Sequence, residues 1–219
     1  MKTKKIEDYL PKEIIREVRE YFEEKVSNAE KTFEYHEQDE DVITGSLAQE
    51  LITKEPIFYK DGKKDYNLNI SSRKIRGRGN NAPEQSTGAD GIFKITILDG
   101  DNVIFRKGLL FQSKKNWELR DRNLIKQCKK MIDIGSAIVI NYTKNGYEAY
   151  NATDVITEEG RRKSLLENRK YSSLGKLLGN DFLNCIIGEI GLDYDKESET
   201  FLKDSLYNST EIITEIKIT

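Results

Sequence analysis

Apolar residues recur at three- and four-residue steps over residues 12–31. Ile14, Ile15, Val18, Tyr21, Phe22 and Val26 are separated by Glu, Lys and Arg. That spacing predicts an amphipathic helix with one buried stripe, and Pro11 falls where a missing N–H costs little. After an acidic block at residues 33–41, a second helix is predicted from about Asp39 to Leu51, with Val42, Ile43, Leu47, Ala48 and Leu51 as its apolar positions. The period then shortens. Ile57–Tyr59 and Tyr66–Ile70 flank an Asp61-Gly62 turn and read as a hairpin. Gly91–Leu98 reads as a strand, and residues 99–102 (Asp-Gly-Asp-Asn) as a turn. Val103–Phe105 is apolar again, and Lys107–Lys114 returns as a strand. Residues 119–132 predict an amphipathic helix whose apolar line is Leu124, Cys128, Met131 and Ile132. Ser136–Tyr142 is nearly all apolar, as in a strand covered on both faces. A turn at residues 144–146 leads to Tyr147–Tyr150, and residues 172–190 predict late helical segments. This order predicts an α/β fold with one mixed β-sheet flanked by helices.

The chain has 219 residues, which fits a single domain over 1–219, with the helix at 12–31 at its start. Charged residues make up 34% and mean hydropathy is −0.68, yet 8 Phe and 11 Tyr with many Ile and Leu suffice for a core. No apolar run is long enough to span a membrane. The basic start, Met1 to Lys5, leads into Ile6-Glu-Asp-Tyr, so no signal peptide is expected. Cys128 and Cys185 are 57 positions apart, which is neither a disulfide framework nor a zinc site; a cytoplasmic setting is expected. One histidine, His36, excludes mechanisms needing two. Trp117 reads as a packing residue that, if exposed, would stack on a base.

Net charge is −2, so any affinity for an acidic polymer must come from local positive surface. Residues 71–81 hold Arg73, Lys74, Arg76 and Arg78, two glycines and no acid. They read either as a solvated loop or as a strand-loop that touches phosphates. Lys115, Arg120 and Arg122 are further candidates.

The chemistry concentrates at Thr87-Gly88-Ala89-Asp90 and Gln112-Ser113-Lys114. Side chains alternate along a strand, so Gln112 and Lys114 share a face with Leu110, and Leu109, Phe111 and Ser113 take the other. The turn at 99–102 folds the two strands together and brings Asp90 next to Gln112 and Lys114. A carboxylate, an amide oxygen and an ammonium at one sheet edge suit metal-assisted phosphodiester hydrolysis. Mg²⁺ or Mn²⁺ takes oxygen ligands, and a lysine stabilises charge on the phosphate. The acidic block opening the second helix offers a further acid, for which Glu37, Glu40, Asp41 and Glu50 compete.

These segments resemble the PD-(D/E)xK nuclease superfamily in its QxK variant. They are similar to Mrr-like restriction nucleases and to nuclease domains of bacterial anti-phage effectors. The likeness runs over about residues 34–190. It is carried by Glu40-Asp41 through Thr44-Gly45, by Glu84 through Asp90, by Leu110 through Lys115, by Gln127 through Met131 and Ala137 through Tyr142, and by Asp181 through Gly188. The resemblance implies a restriction-endonuclease-like fold, with Asp90 and Gln112 as metal ligands, Lys114 as the catalytic lysine and Glu40 as the helix acid. Gln112 in place of an acid removes one negative charge from the metal site. The expected activity is Mg²⁺- or Mn²⁺-dependent hydrolysis of double-stranded DNA in bacterial defence, by a homodimer or with a defence-system partner protein. The competing expectation is an inactive nucleic-acid-binding or inhibitor protein on the same fold. RNA would be cut by the same chemistry.

Overall fold

A computed structural model describes residues 5–62, 64–75, 77, 79, 82–204 and 213–216. Helix α1 (Lys12–Lys31) follows a short 3-10 turn (Ile6–Asp8) and occupies the residues its periodicity predicts, with Pro11 as N-cap just outside it. α2 (Phe33–His36) is a single turn taken from the acidic block. α3 (Glu40–Leu51) begins where the Asp39 side chain accepts a hydrogen bond from the Asp41 N–H. The hairpin β1 (Ile57–Asp61) and β2 (Lys64–Lys74) then carries the chain to the short helix α4 (Pro83–Thr87). β3 (Gly91–Asp99) and β4 (Asn102–Lys115) form the central hairpin. Val103–Phe105 belongs to the same strand as Lys107–Lys114, because β4 continues without a break.

α5 (Arg122–Ile134) starts later than its pattern suggests. Asp121 caps it through the N–H groups of Asn123 and Leu124, which leaves Leu119 outside the helix and 83% exposed. Leu124, Cys128 and Met131 are buried as expected, but Ile132 is exposed, since the docked stripe continues to Ile134 instead. β5 (Ala137–Thr143) and β6 (Gly146–Asn151) complete the centre, followed by α6 (Ala152–Thr157) and α7 (Arg162–Glu167). The late helical segment is shorter than expected. After β7 (Ser172–Ser173), α8 (Leu174–Lys176) runs into π-helical turns over Leu177–Phe182, and Glu189–Ile190 forms β8.

The fold is mixed α/β, with a mostly antiparallel sheet flanked by helices. Its order is β1-β2-β3-β4-β5-β6-β7, with β8 beside β4 and, among the described residues, β4/β5 the one parallel pair. Alternation along β4 feeds two hydrophobic layers. Leu109 and Phe111 pack with Val18, Phe22 and Leu47 of α1 and α3, whereas Leu110 packs with Leu124, Cys128 and Met131 of α5. β5 contributes to both layers and is buried from Ala137 to Tyr142. A second sheet of β9 (Leu192–Asp195), β10 (Thr200–Asp204) and β11 (Ile213–Ile216) went unforeseen in the sequence. Leu192, Tyr194 and Phe201 close the α5-side layer, and Asp193 binds Lys94 and, at 3.2 Å, Arg106. No helix among the described residues is long and apolar enough to cross a membrane.

Candidate functional site

Asp90 is placed by backbone on both sides. Its N–H donates to the Phe111 carbonyl (2.9 Å), and its carbonyl accepts from the Ile75 N–H (2.7 Å), so it sits between the ends of β2 and β4. Gly88 makes this entry possible. Its φ is +72°, and a Cβ there would lie 2.5 Å from the Gln127 carbonyl oxygen of α5. The hairpin register pairs Gly91 with Phe111, so Asp90 lands beside Gln112.

One carboxylate oxygen of Asp90, Oδ2, accepts from Gln112 Nε2 (2.8 Å), from the Ser113 N–H (2.7 Å) and from the Ser113 hydroxyl. Asp90 is 8% exposed and Gln112 2%. A carboxylate only accepts here, so the Gln112 amide must turn its nitrogen to Asp90 and its oxygen away. That oxygen, Oε1, is buried and has no hydrogen-bond donor. Buried polar atoms without a partner are uncommon and call for one.

Ser113 leaves Gln112 and Lys114 for the α3 side, as alternation requires, yet its backbone and hydroxyl still reach Asp90 at the strand end. Behind it the Thr44 hydroxyl lies 3.1 Å from Ser113 Oγ, donates to the Glu40 carbonyl (2.9 Å) and accepts from the Tyr142 hydroxyl (3.2 Å). The sequence reading missed Ser113 as a site residue. A hydroxyl between Gln and Lys in an otherwise apolar strand was the available signal.

Two further acids approach. Glu40, the first residue of α3, is half-buried and faces the Lys115 backbone N–H. Burial pushes its carboxyl above the usual range; the Lys114 ammonium pulls it back, and the Asp90 charge raises it again. Lys114 is therefore held where Glu40 feels its charge. Glu84 on α4 was not foreseen. Its carboxyl lies near the Asp90 side chain and is raised by burial first, then by the charges of Asp90 and Asp41. The signal for it was an acid six positions before Asp90 on a helix started by Pro83.

Of the competing acids, Glu37 is exposed and Glu50 lies by Tyr21 of α1, whereas Asp41, paired with Lys74 (2.7 Å), stays close enough for its charge to raise both Glu84 and Glu40. The basic residues scatter. Lys74 lies on the site side of β2, engaged by Asp41, whereas Arg73 is turned to the other face, where its charge reaches Asp195. Lys115 lies at the surface, where its ammonium donates to the Glu37 carbonyl (2.7 Å) at the end of α2. Arg120 pairs with Glu159 (2.9 Å), and Arg122 is exposed. Arg76 and Arg78 lie outside the described residues. Trp117 is buried, donates to the Leu119 carbonyl (2.8 Å) and meets Tyr150 edge-on, which removes it as a base-stacking surface.

Among the described residues, no three His, Cys, Asp or Glu side chains form a set able to hold a metal ion by themselves. The donors present are all oxygens: carboxylates at Asp90, Glu84 and Glu40, and the unpartnered Gln112 Oε1. Such a set fits a hard cation that keeps part of its water shell and completes its sphere with substrate phosphate. No protein-family model, curated protein or solved structure matches this chain.

Proposed function

We propose that this protein is a metal-dependent endonuclease on a restriction-endonuclease-like fold that hydrolyses DNA phosphodiester bonds in bacterial defence. The observation that carries this reading is the buried, unpartnered Gln112 Oε1 beside Asp90, with two further carboxyls raised above their usual range around it. Asp90 and Gln112 would hold Mg²⁺ or Mn²⁺, helped by Glu84 or Glu40. The ion would supply charge for the phosphate and a more acidic water. Lys114 holds the attacking water and balances charge developing on the phosphate oxygens. Glu40 keeps the Lys114 ammonium close. Ser113, through Thr44 and Tyr142, keeps the Asp90 carboxylate oriented. Double-stranded DNA in the cytoplasm is the proposed substrate, met by a homodimer or with a defence-system partner.

The test is cleavage of duplex DNA with Mg²⁺ or Mn²⁺. Lys114→Ala and Asp90→Asn should each lower the rate by about 10³-fold, since loss of one well-placed charge costs several kcal/mol of barrier. Cleavage that persists in EDTA overturns the metal mechanism. A second reading, a non-catalytic DNA-binding or inhibitor protein, draws on the three donors that already occupy Asp90 Oδ2. Metal-independent DNA binding without cleavage would favour it.

A further inference from the structure

Away from the Asp90 centre lies a cavity of about 690 Å³, within the roughly 300–1,000 Å³ range of small-molecule sites. Its walls are the 3-10 turn, the first two turns of α1 and the loop at residues 184–186. Cys185 of that loop lies near Lys107 of β4, whose ammonium donates to the Phe182 carbonyl. Lys107 precedes Gln112 and Lys114 by five and seven residues, or about 17–23 Å along an extended strand. The cavity is therefore too far away to share a phosphate with the Asp90 centre.

Its charge runs against that of the chain. Lys5, Lys12, Arg16 and Arg19 line it against one acid, Glu7, a local balance of four minus one, or +3, in a protein of net −2. Among the described residues, none of these four side chains pairs with a carboxylate, although acids are as common as bases in the chain. Arg19 is the most constrained. Its stem packs so closely on Gly179 that a Cβ there would lie 3.0 Å from Arg19 Cγ. Its Nε is buried with no acceptor. A desolvated guanidinium N–H without a partner is costly, and an anionic oxygen is the acceptor that suits it best. Ile6, Ile15 and the 71% exposed Ile186 add an apolar wall.

We propose that this cavity binds a small phosphate-bearing molecule that also carries an apolar or ring portion. The phosphate would meet Arg19 and Arg16, and the ring would lie against Ile186. This site is independent of the nuclease reading, and its readout involves no cleavage.

Cys185 lines the cavity, while Cys128, the other cysteine, is fully buried, so alkylation by iodoacetamide reports on occupancy. The full chain is alkylated in EDTA with pyrophosphate, ATP, adenosine or a short DNA duplex present, and calorimetry follows ATP binding in parallel. Pyrophosphate and ATP should slow alkylation, ATP more so, and adenosine should not. Arg19→Gln keeps the stem and should weaken the ATP effect by about tenfold, the value of one charge-assisted hydrogen bond. Arg16→Glu, at an exposed position where folding is not at risk, should weaken it at least as much. The proposal is overturned by no protection at millimolar phosphate compounds, by equal protection from adenosine, or by protection unchanged in both variants. Protection by the DNA duplex alone would also overturn it and assign the surface to nucleic acid.

Discussion

Two partly buried carboxylate centres border the central sheet, and they are built on opposite terms. At one, Glu148 of β6 receives Arg162 through two nitrogens (2.6 and 2.9 Å), the Tyr150 hydroxyl (2.6 Å) and the Asn141 amide (3.0 Å). Burial alone would raise its carboxyl, but these donors outweigh burial and hold it below the usual range. At the other, Asp90, Glu84 and Glu40 gather beside Asp41, with Lys114 and Lys74 as nearby cations. There burial and mutual repulsion win, and Glu84 and Glu40 rise. The first centre is closed: its charge is matched and its hydrogen bonds serve to join β5, β6 and α7. The second is open, with more anionic oxygen than cation and one amide oxygen that receives no hydrogen bond. Carboxylates kept close without enough positive charge cost stability unless a proton or a metal ion joins them.

Activity and stability should separate the two centres most sharply. Asp90→Asn should abolish DNA cleavage, by about 10³-fold, while shifting stability by less than about 1 kcal/mol, because an amide oxygen still accepts from Ser113. Arg162→Met should do the reverse. It leaves the Glu148 charge half-buried and short of donors, lowers stability by about 2 kcal/mol and Tm by about 5 °C, and spares the chemistry per folded molecule. Thermal unfolding and cleavage measured on the same two variants decide this. If Asp90→Asn unfolds the protein as Arg162→Met does, the two centres are alike and the Asp90 centre is structural.

The two centres should also respond to pH in opposite directions, a smaller effect. Folding raises Glu84 and Glu40, so the folded chain holds their protons more tightly than the unfolded chain does. Without divalent metal, their contribution favours folding below the raised folded-state range and is lost as pH rises through it. Glu148 acts oppositely: its contribution is present at neutral pH and is lost as pH falls through its lowered range. Glu84→Gln should therefore raise Tm at neutral pH in EDTA, by about 2 °C, and weaken Mg²⁺ binding by about tenfold. A metal-free Tm that falls on this substitution would mean that the Glu84 charge is already compensated. The smallest expected effect is at Lys115. Lys115→Ala should cost only about 0.5 kcal/mol, by removing the hydrogen bond to the Glu37 carbonyl. It should also leave the salt dependence of DNA binding unchanged. Replacing both Arg76 and Arg78 should flatten that slope by about 0.9 for each phosphate no longer neutralised.

What depends on neighbours along the chain was legible from the residues alone. The stripe over residues 12–31 sets α1, and the second helix starts within one residue of the expected Asp39. The Asp99-Gly100 turn folds β3 onto β4, and that register alone brings Asp90 to Gln112. Period, cap and turn chemistry act over a few residues, so they can be read without a structure. Which distant groups meet was decided only by the packed chain. Glu84 swings onto Asp90 because α4 packs on α5 at Gly88. Ser113 is tied to Thr44, 69 positions earlier, only because α3 lies under β4. Lys115 reaches the end of α2, Trp117 is buried against Tyr150, and Arg73 and Lys74 part to opposite faces of β2. The cavity at α1 needs the 184–186 loop, whose approach no local pattern announces. These meetings depend on how side chains from separate elements fill shared space, and that free energy is not written in any short stretch of the chain.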